Sequence, residues 1–244
     1  MSEVLGIRQA TACVIANRGI TTKKQALAFL KAEYAELYDV CGEQQMKDAE
    51  KAMTLLEYAL KQNQKIAIYG DYDVDGVTST AIWYKVLKYC GADVMYYIPH
   101  RQKEGYGLNL EAIEELHNNG IKLLLTCDNG ISAIEEIKKA KQFHMTVVVI
   151  DHHEPAFDEN GNDILPEADA IVDPKQKSCQ YPFKMLCAGG ICYKLALLFL
   201  KRQNIQNNEL EQNCLHMATW ATVCDIVDLM EENRIIVKKG LNTM

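Results

Sequence analysis

Short apolar runs alternate with amphipathic stretches up to about residue 172 of this 244-residue chain. The apolar runs are residues 65–69, 94–98, 121–126 and 145–150. Uninterrupted Val, Ile and Leu over such lengths are typical of strands buried on both faces of a parallel sheet. The intervening stretches have apolar residues at helical spacing, which predicts helices over 77–89, 110–118 and 131–143. The alternation predicts an α/β fold, in which a parallel sheet is flanked by helices on both faces.

Helical patterns also lie on both sides of this region. Residues 1–62 have apolar residues at helical intervals, among them Met46, Met53 and Leu56, and we interpret them as an N-terminal helical extension that packs on the sheet. The predicted helices outside the alternating region are residues 22–38, 44–62, 188–202 and 210–224.

Acidic and imidazole side chains follow three of the apolar runs, at the point where each predicted strand ends. They are Asp71, Asp73 and Asp75 after the first run, Asp128 after the third, and Asp151, His152 and His153 after the fourth. The carboxyl ends of parallel strands meet at one edge of a sheet, where open α/β sheets bind their ligands. We therefore expect these side chains to become neighbours.

The three aspartates within residues 71–75 are spaced by two, so they point to one side wherever the chain stays extended. Crowded carboxylates repel each other unless a cation lies among them, and carboxylates with neutral imidazoles suit divalent ions such as Mn²⁺. The ordinary alternatives are an Asp-rich turn that caps the next helix, or a polar strand end with solvated histidines. Because a cap explains one aspartate but not three, the pattern favours a metal site.

Three further residues could contact a phosphate or a base. Gly76 lets the backbone turn into a helix whose N-terminal amides favour an anion. Arg101 follows a predicted strand and can reach a phosphate with two hydrogen bonds. Tyr106 lies between two glycines and is a candidate for stacking on a base. The formal net charge of −7 argues against a broadly basic nucleic-acid surface, but it is compatible with aspartates that hold cations.

Cysteine usage and hydropathy indicate the compartment. None of the nine cysteines forms a CxxC pair, which favours reduced thiols. No apolar stretch approaches the ~20 residues of a membrane helix, and the first ten residues lack the basic start and apolar run of a secretory leader. We therefore expect a cytoplasmic protein with no membrane contact.

Four ordered motifs resemble those of the DHH phosphoesterase superfamily. They are Asp73-Val74-Asp75-Gly76, Asp128, the tripeptide Asp151-His152-His153, and Asp225. Within the superfamily the chain is most similar to the RecJ-type exonucleases, through the segments Ile98-Pro99-His100-Arg101, Glu104-Gly105-Tyr106-Gly107, Ala188-Gly189-Gly190 and Glu232-Asn233-Arg234. The resemblance covers about residues 40–244. Tyr69 stands where family II pyrophosphatases and oligoribonuclease-type members usually have a His, which disfavours those branches.

The resemblance implies 5′→3′ hydrolysis of single-stranded DNA in DNA repair and recombination, with two Mn²⁺ or Mg²⁺ ions as cofactors. The implied metal ligands are Asp73, Asp75, Asp128, His152 and Asp225. In this interpretation Asp128 would bridge the ions, Asp71 would be an outer ligand or hold a ligand in place, and His153 would contact the phosphate or donate a proton. The implied catalytic residues are Asp128, His152 and His153. The resemblance also implies that Arg101 lies near the 5′-terminal phosphate, while Tyr106 and Gly76 are predicted from the sequence as further substrate contacts.

The same resemblance divides the chain into three parts. These are the helical extension over 1–62, a DHH phosphoesterase domain over 63–228, and the start of a connector to an absent C-terminal domain over 229–244. We expect weak activity without that domain. The expected partners are single-stranded DNA and single-stranded-DNA-binding protein, and the chain is expected to be a monomer. Two alternatives remain open: an oligoribonuclease or cyclic-dinucleotide phosphodiesterase, and an inactive DHH scaffold or binding module.

Overall fold

The computed structural model of the chain describes residues 2–34, 37–41 and 45–244. In this described part, five parallel strands form one sheet in the order β2-β1-β3-β4-β7. The strands are β1 (Ile66–Tyr69), β2 (Val94–Tyr97), β3 (Leu123–Cys127), β4 (Thr146–Ile150) and β7 (Ala170–Val172). A small antiparallel pair, β5 (Ala156–Phe157) and β6 (Asp163–Ile164), lies in the loop between β4 and β7. The predicted strands are confirmed to within two residues at their ends.

Helices cover both faces of the sheet, which confirms the predicted fold class. One face packs against α4 (Ala49–Lys61), α5 (Val74–Tyr89), α8 (Ala188–Arg202) and α9 (Asn208–Cys224). The other face packs against α6 (Leu110–Asn118) and α7 (Ile134–Gln142). Successive strand residues enter opposite cores, since Ile66 and Ile68 belong to the first cluster and Ala67 and Tyr69 to the second. This two-sided burial explains why the strands are continuous apolar runs.

The direction of winding reverses between β1 and β3. From β1 the chain passes through α5 to the edge strand β2, and it then returns through α6 to β3 on the other side of β1. Ligand sites of open α/β sheets lie at such a reversal, outside the carboxyl ends of the strands. Residues 70–76 and residue 128 follow β1 and β3 at this edge.

The N-terminal extension is helical, but its helices are shorter than predicted. Helices α1 (Ser2–Leu5), α2 (Gln9–Asn17) and α3 (Lys23–Lys31) surround a small core of Ile15, Ile20 and Ala26. Helix α3 ends early because Ala32 adopts a left-handed conformation with φ 47°. Helix α4 begins late because its N-cap, Asp48, has φ 59°. The parts of the two predicted helices at residues 35–36 and 44 lie outside the described residues.

The predicted connector is a helix in the structure. Helix α10 (Glu231–Thr243) packs against α9 and contacts α3, so it joins the extension to the sheet-containing part. The domain boundaries at 62 and 228 stay a prediction. None of the helices in the described residues is long and apolar enough to cross a membrane.

Candidate metal centre

The carboxyl edge of the sheet brings the predicted acidic and imidazole side chains together. Their ligand atoms form three groups, each within 4.8 Å: Asp71, Asp73 and Asp128; Asp75, His152 and Asp225; and Asp128, His152 and His153. His152 Nε2 lies 3.1 Å from Asp128 Oδ1 and 3.6 Å from Asp75 Oδ2. Asp128 and His152 each belong to two groups, so the three groups make one continuous centre.

The aspartates of residues 71–75 do not all point to one side. Helix α5 begins at Val74, earlier than predicted, and Asp73 caps it by accepting a hydrogen bond from Gly76 N at 2.9 Å. Asp75 therefore lies in the first helical turn. The expected alternation is wrong here because the chain leaves the extended conformation, and Asp75 joins a different ligand group from Asp71 and Asp73.

Asp75 is seated on the N-terminus of α8. Its two carboxylate oxygens accept hydrogen bonds from Ala188 N at 2.8 Å and from Gly189 N at 2.7 Å. A Cβ at position 189 would lie 2.3 Å from the Ala221 Cβ and 3.1 Å from Asp75 Oδ1, so only Gly allows this approach. Burial raises the pKa of Asp75 to about 6, although the charge of His152 and the two amides oppose the rise.

Asp128 carries the strongest sign of a missing counter-charge. It follows β3 with φ 66°, and its side chain is buried. Although His152 Nε2 is near, no described group donates a hydrogen bond to Asp128 Oδ1. Burial, followed by the negative charges of Asp75 and Asp73, raises the pKa of Asp128 to about 10. Buried charges in proteins are paired or bind metals.

Two observations on the side chains fit a divalent cation at this centre. Asp71 Oδ1 is also buried with no hydrogen-bond partner in the described part of the chain, and burial raises the Asp71 pKa. Burial likewise raises the pKa of Asp225, at the C-cap of α9. A set of carboxylates with one imidazole, His152, is a donor set that suits Mn²⁺ or Mg²⁺.

Asp151 acts differently from the other aspartates. It accepts hydrogen bonds from Ile131 N at 2.9 Å, from His152 N at 2.8 Å and from His153 Nδ1 at 2.7 Å. Although burial opposes ionisation, the hydrogen bond from His153 leads the interactions that hold the pKa of Asp151 below its usual value. The same hydrogen bond raises the pKa of His153 to about 9. The hydrogen bond to Asp151 thus orients His153 and favours its protonated form.

Comparison with known proteins identifies the family. A sequence profile described as "DHH family, N-terminal domain" matches residues 65–222. The chain belongs to the DHH family. It is 39% identical over 244 residues to the single-stranded-DNA-specific exonuclease RecJ of Bacillus subtilis (strain 168). The aligned residues are 100% of this chain and 29% of that protein. The resemblance predicted from the motifs is confirmed.

Solved structures agree with this assignment. The crystal structure of an exonuclease RecJ bound to manganese superposes with a TM-score of 0.72 at 31% identity, over 84% of this chain and 49% of that one. RecJ from Thermus thermophilus, in complex with Mn²⁺, superposes with a TM-score of 0.67 at 28% identity, over 89% of this chain and 31% of that one. The DHH chain therefore spans only part of the length of these relatives.

The predicted substrate contacts lie beside the DHH centre. Tyr106 donates a hydrogen bond to Asp128 O at 3.2 Å, and its hydroxyl lies 3.3 Å from the ring nitrogens of His153. The Tyr106 ring, which is half exposed, contacts Tyr72 edge to face at 6.4 Å between centroids. The guanidinium of Arg101 lies 5.2 Å from the centre of the Tyr72 ring. Arg101 and Tyr106 thus contact the same aromatic side chain.

The backbone of Asp71 packs closely against Gly76. A Cβ at this position would lie 2.6 Å from the backbone of Asp71, so a larger residue would displace the acidic loop. Its amide already donates to Asp73. The packing of Gly76 accounts for the need for glycine at this position, whatever the helix N-terminus binds.

Asp173 was missed in the sequence. It ends β7 at the same edge as the other acidic residues, and it is fully buried. Oδ1 accepts a hydrogen bond from Lys175 N at 2.8 Å, while Oδ2 has no partner among the residues that the structure describes. Burial raises the pKa of Asp173 to about 8. The signal was the short apolar run 170–172 before it, which resembles the ends of β3 and β4.

We expect the metal-free DHH protein to lose stability as the pH rises from about 5 to about 9. The folded-state pKa values of Asp128 (about 10), His153 (about 9) and Asp173 (about 8) all exceed their ordinary values. The folded state therefore binds more protons than the unfolded state in this range, and its advantage declines as the pH approaches the folded pKa values. Asp151, whose pKa is lowered, acts only in more acidic solution.

Urea denaturation in the presence of a chelator, at several pH values, measures this slope. The Asp128→Asn variant, which cannot ionise at that position, should show a flatter dependence on pH. A free energy of unfolding that rises with pH between these limits would contradict the charge repulsion inferred for the centre.

Proposed function

We propose that this chain is the catalytic part of a metal-dependent phosphodiesterase that removes nucleotides from the 5′ end of single-stranded DNA. The single observation that carries the proposal is the position of Asp128, whose carboxylate belongs to two ligand groups at once. The relatives named as single-stranded-DNA-specific exonucleases support the substrate.

The ligand groups suggest how two Mn²⁺ or Mg²⁺ ions would be held. Asp71, Asp73 and Asp128 would hold one ion, and Asp75, His152 and Asp225 the other. Asp71 is thereby proposed as a direct ligand rather than an outer one. When bound, paired ions activate a water molecule and stabilise charge on the phosphoryl oxygens.

The remaining groups of the centre act on the phosphate and its proton. His153, whose protonated form is favoured by the hydrogen bond to Asp151, can contact a phosphate oxygen and can donate a proton to a leaving oxygen. Tyr106 contacts both His153 and the backbone of Asp128, so it holds the histidine against the centre. These three side chains form the proton-handling side of the site.

The 5′ end of the single-stranded DNA would occupy the space beside Tyr106. A cavity of about 310 Å³ opens there, lined in part by Tyr106, Asn129, Ser132 and Glu136. Arg101 is proposed to bind the 5′-terminal phosphate, and the exposed ring of Tyr106 to stack on a base. Gly76 is proposed to bring the N-terminus of α5 close to a substrate phosphate.

The two alternatives are not favoured. Tyr69, at the position of the His of oligoribonuclease-type members, is buried and donates a hydrogen bond to Gly107 O at 3.2 Å, so it supports the substrate loop instead. An inactive scaffold does not explain buried carboxylates without partners, which cost stability. Both observations favour a functional nuclease.

The cellular role follows from the proposed substrate. We place the protein in the cytoplasm, in DNA repair and recombination, as a monomer that meets single-stranded-DNA-binding protein on the same strand. The domain division at residues 62 and 228 belongs to the same proposal. The relatives named as single-stranded-DNA-specific exonucleases support the substrate on which this role depends.

Replacing Arg101 with Ala tests the proposed substrate end. We expect kcat/KM for a short 5′-phosphorylated strand with Mn²⁺ to fall about tenfold to a hundredfold, because a charge-assisted contact contributes about 1.5–3 kcal/mol. The loss should lie mainly in KM, while a 5′-hydroxyl strand should be affected little. Chromatography of the products should show mononucleotides released from the 5′ end.

Lys103→Ala, at an exposed cation two residues away, serves as the matched control and should retain the preference for a 5′-phosphate. Equal losses on the two substrates in Arg101→Ala would show that Arg101 does not bind the terminal phosphate. If no phosphodiester is hydrolysed with Mn²⁺ present, the proposed function itself is wrong.

A further inference from the structure

The segment Glu232-Asn233-Arg234 lies in the first turn of α10, and its outer two side chains hold that helix against its neighbours. Glu232 is fully buried and accepts hydrogen bonds from Lys194 of α8 and from the Tyr181 hydroxyl at 2.7 Å. Arg234 Nε donates to Phe29 O at 2.5 Å, and its guanidinium lies 3.6 Å from the centre of the Phe29 ring. These contacts lead to Lys194 in the middle of α8 and to Phe29 in α3, and not to the first turn of α8 that holds Asp75.

Asn233, between them, contacts the segments that hold two of the candidate ligands. It is fully buried, and its Nδ2 donates to Met185 O at 2.6 Å and to Asp228 O at 3.1 Å. Met185 lies just before α8, whose first amides hold the Asp75 carboxylate. Asp228 lies in the turn that follows Asp225. The side-chain amide of Asn233 therefore links the segment before α8, whose first amides hold Asp75, to the turn that follows Asp225.

The turn after Asp225 requires such support. Ile226 has φ 58° and Glu231 has φ 40°, and the left-handed region is unfavourable for both, most of all for a β-branched residue. Strained conformations of this kind persist only where surrounding contacts hold them. The carbonyl of Asp228, between the two strained residues, accepts hydrogen bonds from Asn233 Nδ2 and from Met230 N at 2.8 Å. Removing the Asn233 amide would take away one of the two hydrogen bonds to the Asp228 carbonyl that hold this turn.

We propose that Asn233 is a positioning residue that sets the separation of the Asp75 and Asp225 carboxylates, and through it the affinity of the ion that these two residues and His152 hold. The proposal rests on the proposed function, because it needs the ion. It gives a role to a motif whose described hydrogen bonds reach neither a ligand side chain nor the substrate space. Partners behind metal ligands typically change metal affinity by about 10–100-fold.

The experiment is a titration of the whole chain with Mn²⁺, measured by isothermal titration calorimetry. In Asn233→Ala we expect the dissociation constant of one ion to rise about 10–100-fold, while that of the ion held by Asp71, Asp73 and Asp128 stays unchanged. Arg234→Ala is the matched control, because Arg234 is the next residue on the same helix and the contacts that the substitution removes are with Phe29 of α3, not with the metal centre. It should lower thermal stability and leave both dissociation constants unchanged.

A second variant, Asn233→Ser, keeps a shorter hydrogen-bond donor and is expected to weaken the same ion to a smaller degree. It replaces Asn233→Ala in the comparison if the alanine variant does not fold. Wild-type affinity for both ions in the Asn233 variants, or an equal weakening in Arg234→Ala, would overturn the proposal. A wild-type chain that binds no pair of ions would instead overturn the proposed function.

Discussion

Replacing Asp128 with Ala is expected to lower metal-dependent phosphodiester hydrolysis more than about a thousandfold, equivalent to about 4 kcal/mol of barrier. Asp128 belongs to the ligand group proposed for one ion, and its Oδ1 lies 3.1 Å from Nε2 of His152, a ligand proposed for the other, so its loss affects both ion positions. The fold should persist, because the described contacts of the Asp128 side chain are confined to the other residues of the centre. Initial rates at saturating Mn²⁺ measure the effect.

Stability separates this result from simple unfolding. Without metal, Asp128→Ala should be as stable as the wild type or more stable, since a buried carboxylate repelled by Asp75 and Asp73 is removed. Asp93→Ala, which removes an exposed carboxylate just before the edge strand β2, is the control and should keep full activity. Turnover of Asp128→Ala within about tenfold of the wild type (~1.4 kcal/mol) would refute the shared role of Asp128.

Replacing Glu232 with Ala is expected to destabilise the folded protein by about 3–5 kcal/mol. The change leaves the buried ammonium of Lys194 without its carboxylate, and it removes the acceptor of the Tyr181 hydroxyl and of Tyr38 N. Burial already lowers the pKa of Lys194, and Glu232 opposes that shift. In the variant the lysine must lose its proton or remain as an unpaired buried charge.

Urea denaturation measures this loss. Glu231→Gln is a suitable control, because Glu231 is the exposed neighbour on the same helix and its carboxylate bonds only the Tyr38 hydroxyl at 3.2 Å among the hydrogen bonds described. The control should change the free energy of unfolding by less than about 1 kcal/mol. A similarly small change in Glu232→Ala would show that the buried pair is not needed to hold α10 against α8.

The sheet and the edge that holds the centre could be predicted from the sequence because both follow from local patterns. Burial on two faces makes β1, β3 and β4 continuous apolar runs. Polar residues directly after such runs must meet at the carboxyl edge, which predicts Asp128 and His152 as neighbours from the sequence alone. Asp173 follows the same rule, but its strand is only three residues long and the run was too short to identify.

Other features depend on contacts between distant residues and have no local signal. Asp225 lies at the end of a helix, so no strand pattern indicates it, and only the family resemblance pointed to it. The end of α3 is set by left-handed Ala32, where the usual glycine is absent, and the start of α4 is set by left-handed Asp48. The proposed role of Asn233 arises from backbone carbonyls of Met185 and Asp228, which the sequence does not bring together.

The number of Mn²⁺ ions bound by the wild-type chain and by Asp128→Ala tests the central claim most directly, because the measurement needs no substrate. Calorimetric titration at neutral pH measures both the number and the affinity. The structure predicts two ions in the wild type and a weakening of both in the variant, since Asp128 belongs to the ligand group proposed for one ion and its Oδ1 lies 3.1 Å from Nε2 of His152, a ligand proposed for the other. A single ion in the wild type, or two ions bound equally well by Asp128→Ala, would contradict a centre in which Asp128 joins two metal positions.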